Sequence, residues 1–271
     1  MTEEQKSLSW LCGILDVLRK ECPWDSIQTV ETLRHLTEEE VFELSDAIAR
    51  EVPQDMCKEL GDMIMHIVFY SKIAEEKAWF NLADVIDTVC SKLISRHPHI
   101  SLPDRDGVRQ PAQTDIPPAW EKIKMKEGRQ SVLEGVPANM PPLLMALRMQ
   151  DKAAGVGFEY PSLSDARDKV VEELKEFDEA LGQLEGEKTK HCEEHASEEL
   201  GDLLSAVVAW GRRAGLNADD AMVRANLKFK HRFSAMERMA MQWGTPLDSL
   251  DKDSLMRLWN DAKKLETKYE Q

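Results

Sequence analysis

One arrangement of acids occurs twice in this 271-residue chain. Glu39-Glu40-Val41-Phe42-Glu43 is followed by Glu59-Leu60-Gly61-Asp62, and Glu172-Glu173-Leu174-Lys175-Glu176 is followed by Glu199-Leu200-Gly201-Asp202. Each copy reads EExxE, a gap, then ExLGD. On a helix, residues three apart share a face, so each half of the pattern presents two carboxylates together. Two such helices packed side by side would gather Glu40, Glu43, Glu59 and Asp62 in one pocket, and Glu173, Glu176, Glu199 and Asp202 in another. Hard oxygen donors in that number suit Mg²⁺, with Mn²⁺ as an alternative, and an acid-held divalent ion is the usual grip on a polyphosphate. The chemistry expected is metal-dependent reaction at phosphate.

On the first acidic helix Glu40 and Glu43 share a face with Leu33, Leu36, Leu44 and Ala47. In the second copy Glu173 and Glu176 fall among Ala166, Val170, Phe177 and Ala180. Ionised carboxylates turned inward on an apolar stripe carry a large desolvation penalty, which a bound divalent ion compensates. Gly61 and Gly201 are mid-helix glycines, costing roughly 1 kcal/mol each relative to Ala, and are expected to let another helix approach closely. His66, one turn beyond Asp62, has Ala206 as its counterpart and reads as a packed core histidine.

Phosphates need cations beyond the metal. Lys92 with Arg96, and Lys228 with Arg232, each place two cations one helical turn apart. Trp120 with Lys124, and Trp259 with Lys263, offer a ring for stacking beside one more cation.

These residues must be positioned by helices. Leu, Ala, Met, Glu and Lys are abundant and alternating β-branched runs are few, so the fold class expected is all-α. The pattern predicts helices over 7–20, 28–50, 54–76, 82–97 and 118–127, then 143–154, 163–184, 192–214, 218–241 and 251–268. The stretch from Pro98 to Pro118 carries five prolines and reads as a loop. Landmarks recur at offsets of roughly 129 to 140 residues: Leu18-Arg19 with Leu147-Arg148, Asp84 with Asp220, Lys92 with Lys228, and Trp120 with Trp259. The expectation is a tandem repeat of one four-helix unit: a domain over 1–127, a linker over 128–142 and a domain over 143–271.

Composition excludes other classes. A net charge of -15 and a pI near 5.0 give no basic stripe for nucleic acid. Five cysteines, odd in number and without CxxC spacing, fit reduced thiols and a cytoplasmic protein. Met1 to Lys20 lacks a continuous apolar stretch and is not expected to be a signal peptide, and Met63 to Tyr70 is too short to span a membrane.

At these residues the chain resembles the MazG family of nucleoside triphosphate pyrophosphohydrolases, in its tandem-domain form. Beside the acids, the resemblance is carried by Cys22-Pro23-Trp24-Asp25, Arg96-His97-Pro98-His99, the run from Ser131 to Pro137 and the run from Gly155 to Pro161. It implies an all-α pyrophosphatase unit that forms a homodimer, Mg²⁺ dependence, and hydrolysis of a nucleoside triphosphate to monophosphate and pyrophosphate. It also implies that Glu40, Glu43, Glu59 and Asp62 bind metal in the first copy, and Glu173, Glu176, Glu199 and Asp202 in the second. Asn226, Lys228, Arg232, Trp259 and Lys263 fall on the family's nucleotide-binding positions. Cys90 stands where the second copy has Asn226, so the second copy is expected to be the main catalytic site. There water would attack the α-phosphorus, Lys228, Arg232 and Lys263 would hold the departing phosphates, and Glu172 would take the proton. The alternatives are a narrower dUTP, dCTP or phosphoribosyl-ATP pyrophosphatase and a non-catalytic helical interaction module. A di-iron oxidase would need Glu-x-x-His on two helices, and no histidine here has a glutamate three residues before it.

Overall fold

The computed structural model describes residues 3–109 and 130–267. Nine α-helices and no strand lie among them. The described residues fall into two compact units, one within Met1–Pro117 and the other within Pro118–Gln271. The first unit holds α1 (Glu3–Glu21), α2 (Val30–Ala49), α3 (Pro53–Glu76) and α4 (Leu82–Arg96). The second holds α5 (Pro142–Ala154), α6 (Leu163–Gly186), α7 (Lys190–Arg213), α8 (Ala218–Gln242) and α9 (Lys252–Thr267). The all-α expectation holds, with helix ends shifted by a few residues. The helix expected over 118–127, with Trp120 and Lys124, lies outside the described residues.

Local chemistry sets the helix starts. Thr29 and Thr32 cap α2 reciprocally, each hydroxyl accepting from the other's backbone N–H at 3.3 and 2.8 Å. Asn81, Ser162, Thr189 and Asn217 cap α4, α6, α7 and α8 through side-chain oxygens, and Pro53 opens α3 where its missing N–H costs nothing. Only three residues join α2 to α3, and three join α6 to α7, so each pair folds back as a hairpin. Arg50 clamps the first turn, binding Asp46 at 2.7 Å and Asp55 at 2.8 Å.

In the first unit α1 packs on α3 around Leu15, Leu33, Val68, Phe69 and Ile73. In the second, Met236, Ala240, Leu258 and Ala262 join α8 to α9. The α6/α7 seam is instead lined with small residues, Ala166, Ala180, Ala196, Ala206 and Ala209, all buried. Alanine at the crossing keeps the two helix axes close, which brings acids on facing turns within reach of one ion. Lys152 of α5 is buried and donates to the carbonyls of Val132 and Glu134 at 3.1 and 3.4 Å. The described part of the expected linker is thereby fastened to the second unit.

The expectation for Gly61 and Gly201 fails. A Cβ added at either would meet nothing within 4 Å. The reason is helical geometry: each lies two residues after the seam-facing glutamate, about 200° around the helix. Both glycines face outward, beside exposed Leu60, Ile64 and Ile67 on α3 and exposed Leu200, Leu204 and Val207 on α7. No described helix is long and apolar enough to cross a membrane.

Candidate active site

In each unit the hairpin turns the repeated acids toward one another. Glu40 and Glu43 from α2 and Glu59 from α3 each present an oxygen, and the three atoms lie within 4.8 Å of one another. Glu173 from α6 and Glu199 and Asp202 from α7 do the same. The fourth acid of each set lies in the same field. Burial, then Asp62, Glu43 and Glu59, push the Glu40 carboxyl above its ordinary range. Burial, then Glu173 and more weakly Glu199, push Glu176 upward, partly offset by Lys169.

Burial is less complete than the apolar stripe implies. Only Glu59 and Glu173 are buried; Glu40, Asp62 and Glu199 are half-buried, and Glu43, Glu176 and Asp202 are exposed. Each hairpin covers one side of its cluster and leaves the other open. On the first unit the open side is a groove of about 680 Å³ lined by Glu38, Glu39, Glu43 and Glu59. On the second it is a cavity of about 560 Å³ that reaches Glu173 and Asp202.

Two lysines not singled out from the sequence neutralise part of this charge. Lys58 donates to Glu59 Oε1 at 3.0 Å and lies 3.8 Å from Glu43. Lys169 lies 2.6 Å from Glu173 and donates to Glu172 at 2.9 Å; those hydrogen bonds raise its pKa. The signal was present in the spacing: Lys169 precedes Glu173 by one helical turn. Glu172, the proton acceptor expected from its place beside the acid pair, is exposed and engaged by this lysine. Neither lysine satisfies everything. Glu59 Oε2 is buried with no hydrogen-bond partner among the described residues. An unpaired carboxylate oxygen among clustered acids, together with the all-oxygen donor set, fits a hard divalent cation.

His66 is buried, with Nδ1 2.7 Å from the Thr37 hydroxyl, which in turn meets the Tyr70 hydroxyl at 2.8 Å. Burial lowers its pKa against the pull of Asp62. It is a packed core histidine, as its apolar counterpart Ala206 implied.

The cations form a separate group. Arg232 from α8 and Lys263 from α9 lie 5.8 and 5.7 Å from the centre of the Trp259 ring, and Phe229 lies 5.4 Å from it. Three of the five nucleotide-binding candidates in this unit are thus gathered on one aromatic ring; Asn226 and Lys228 are exposed on α8. On α4, Lys92 is exposed and Arg96 half-buried. Sequence reading also passed over Gln150 and Ser205, which meet at 3.0 Å through the Gln150 amide and the Ser205 carbonyl beside the acid cavity.

A MazG nucleotide pyrophosphohydrolase domain profile matches residues 28–101, the stretch that carries the first acid cluster. The nucleoside triphosphate pyrophosphohydrolase of Escherichia coli K12 is 35% identical over 249 residues, 90% of this chain and 91% of that one. The nucleoside triphosphate pyrophosphohydrolase/pyrophosphatase MazG of Thermotoga maritima is 36% identical over 255 residues, 93% of this chain and 94% of its own. The uncharacterized protein YabN of Bacillus subtilis is 35% identical over 248 residues, 90% of this chain but 49% of that longer one. With relatives aligned over almost the whole length and acids converging as the sequence pattern required, this chain belongs to the MazG family of nucleotide pyrophosphohydrolases.

Proposed function

We propose that this protein hydrolyses nucleoside triphosphates to the nucleoside monophosphate and pyrophosphate, with Mg²⁺, or Mn²⁺ in its place, held by the acid clusters. The observation that carries this reading is the convergence of Glu173, Glu199 and Asp202, in a chain aligned nearly end to end with pyrophosphohydrolases. Glu173, Glu176, Glu199 and Asp202 would hold the ion in the second unit, and Glu40, Glu43, Glu59 and Asp62 in the first. When bound, a divalent cation lowers the pKa of water and offsets phosphate charge. Arg232, Lys263 and the exposed Lys228 take the departing phosphates, with Trp259 and Asn226 alongside. Glu172 accepts the proton of the attacking water, Lys169 fixing its carboxylate. Attack at the α-phosphorus breaks the α–β bridge and sends pyrophosphate out whole.

The second unit is the main catalytic site on this reading, supported by its Trp259 cation group and the cavity beside its acids. Lys92, Arg96, Trp120 and Lys124 are the first unit's counterparts to the phosphate and base contacts. The duplicated acid hairpins support a tandem repeat, with 128–142 as the connection between domains over 1–127 and 143–271. A homodimer is supported by the outward stripes Leu60, Ile64, Ile67 and Leu200, Leu204, Val207, apolar at helical spacing beside Gly61 and Gly201. All five cysteines are free, which supports a reducing, cytoplasmic setting.

Product analysis with each nucleoside triphosphate and Mg²⁺ tests the reading. Monophosphate plus pyrophosphate is expected; diphosphate plus phosphate would refute it. A single accepted base would favour the narrower dUTP, dCTP or phosphoribosyl-ATP type, and Glu173→Gln retaining the parent rate would move catalysis to the first unit.

A further inference from the structure

We infer that α7 carries a second and chemically different metal site, in which His191 and His195 clamp a divalent transition ion such as Zn²⁺ or Ni²⁺. The run from His191 to Glu199 lies wholly within α7. Side chains four residues apart on a helix stand about 5–6 Å apart on one face, so His191, His195 and Glu199 form a single stripe of two imidazoles and a carboxylate. Asp202, three turns on from His191 and about 20° off it around the helix, continues that stripe into the acid cluster. Both rings can be reached by an ion without the fold opening, since His191 is exposed and the His195 side chain is 38% exposed.

The His195 ring is already oriented for ligation. Its Nδ1 lies 3.5 Å from Glu199 Oε1. A ring that gives its Nδ1 proton to a carboxylate carries its lone pair on Nε2, and a metal-bound imidazole is commonly steadied by an acid in this way. Exposed Glu198, three residues past His195, adds negative charge on the same flank. Cys192 is turned elsewhere, its sulfur accepting from the Thr189 hydroxyl at 3.1 Å. The donors then decide the ion. Imidazole nitrogen favours Ni²⁺, Cu²⁺ and Zn²⁺, whereas Mg²⁺ keeps to oxygen, so clamp and acid cluster sort ions by chemistry.

The first unit cannot copy this arrangement. The 140-residue offset from Glu59 to Glu199 sets His191 and His195 against Glu51 and Asp55. Glu51 lies in the turn before α3 at φ 54°, and Asp55 is held by Arg50 at 2.8 Å. Helix α7 begins at Lys190, three residues before the point that the same offset assigns to Pro53, the start of α3. That added stretch of helix brings His191 into register with His195.

Glu199 ties the clamp to the acids, and this link rests on the reading of the acid cluster as a metal site. Its carboxylate belongs to the group of oxygens with Glu173 and Asp202 and also faces His195. An ion on Nε2 makes the Nδ1–H a stronger donor, which draws the Glu199 carboxylate toward His195 and away from the other two acids. A hard ion at the acids is thereby weakened, and by linkage that ion weakens the clamp in the same ratio.

The test uses untagged full-length protein. Calorimetry with Ni²⁺ in excess Mg²⁺ should show one ion per chain. His191→Asn and His195→Asn, with the fold checked by circular dichroism, should each weaken it about a hundredfold, the loss expected when a two-armed grip keeps one arm. Mn²⁺ at the acids, followed by electron paramagnetic resonance, should be released by diamagnetic Zn²⁺ from the parent at about tenfold lower concentration than from the protein lacking both histidines. Equal Ni²⁺ affinity in the parent and in the doubly substituted protein overturns the clamp. Zn²⁺ that releases Mn²⁺ equally from both overturns the link through Glu199 and shows direct competition at the acids. Neither measurement needs turnover, so a protein that binds Ni²⁺ at these histidines and releases no pyrophosphate sinks the hydrolase reading alone.

Discussion

The second acid cluster is offset in part by one lysine, and that charge balance can be probed by removing one partner at a time. The oxygens of Glu173, Glu199 and Asp202 lie within 4.8 Å of one another, and Lys169 lies 2.6 Å from Glu173. At an effective dielectric of about 20, Glu173 is repelled by each acid by roughly 3.5 kcal/mol and attracted to Lys169 by roughly 6 kcal/mol. The two repulsions are at least as large as the one attraction, and Glu176 adds a third. Glu173→Gln should therefore leave metal-free stability unchanged or raise it by about 1 kcal/mol, and Tm should not fall. Lys169→Met removes only the attraction. The lysine side chain is 32% exposed, so solvent screening reduces the loss to about 2 kcal/mol, a fall in Tm of roughly 4–8 °C.

Divalent metal should reverse the order. An ion at a hundred times its dissociation constant stabilises its site by about 2.7 kcal/mol. Parent protein and Lys169→Met should both gain on adding Mg²⁺, Lys169→Met more, because the ion replaces the missing charge. Glu173→Gln should lose the second unit's share of this gain. Thermal melts with and without Mg²⁺, beside Mn²⁺ titration followed by electron paramagnetic resonance to count sites, read these outcomes. Glu173→Gln binding as many Mn²⁺ ions as the parent, or metal-free Lys169→Met melting above the parent, would refute the charge balance.

Four further outcomes follow from the packing. Arg19 holds Glu76 through two hydrogen bonds of 2.9 Å and caps the carbonyls of Asp25 and Gln28 at 2.6 and 2.9 Å, so Arg19→Met should lower the first unit's stability by about 2–3 kcal/mol in urea titration. Hydrogen bonds from Arg19 and Lys72 hold Glu76 and Asp16 below the ordinary carboxylate range; this stability is present at neutral pH and lost as pH falls through the lowered values, and Arg19→Met should flatten that acid limb. Leu258 is fully buried between α8 and α9, so Leu258→Ala should cost about 3 kcal/mol and loosen Trp259, visible in tryptophan fluorescence. If the proposed homodimer forms through the outward stripe of α7, Leu204→Glu places a charge in it and should shift sedimentation from dimer to monomer without changing the far-ultraviolet circular dichroism.

Helix type and the meeting of the acids were legible because both depend on local periodicity. Glu and Leu at three- and four-residue spacing decide which face turns inward, and a three-residue turn leaves a hairpin little freedom. The environment of Gly61 and Gly201 was not legible, since a small residue marks a possible close approach without saying which side of the helix the neighbour occupies. Burial was legible only as a direction. Helical spacing put Glu40, Glu43, Glu173 and Glu176 on an apolar stripe, but whether a third helix covers the cluster is decided by tertiary packing, and here it leaves Glu43 and Glu176 in contact with solvent. The lysines beside the acids were missed because in sequence they look like any solvated helical pair. Gln150 and Ser205 were missed because they are 55 residues apart and carry no periodic signal.

Each acid hairpin gathers three carboxylate oxygens, two from α2 and one from α3 in the first and one from α6 and two from α7 in the second, and the hairpins differ in what stands beside them. In the first, Lys58 is 66% exposed and satisfies one oxygen of Glu59, leaving the other orphaned; His66 and Met65 fill part of the same hairpin. In the second, Lys169 bridges Glu172 and Glu173, and Ala206 and Ser205 line a cavity of about 560 Å³. Carboxylates fix the kind of ion a site can hold, whereas the neighbouring cation and the neighbouring volume fix what that ion can be brought to act on. His66 and Met65 of the first hairpin stand where the second has Ala206 and Ser205, and the open space differs with them: a shallow groove of about 680 Å³ beside the first acids and a cavity of about 560 Å³ beside the second. On the proposed reading, two hairpins with similar acids would hold the same kind of ion, and the cations and the shape of the space beside each would decide which of them turns nucleotide over.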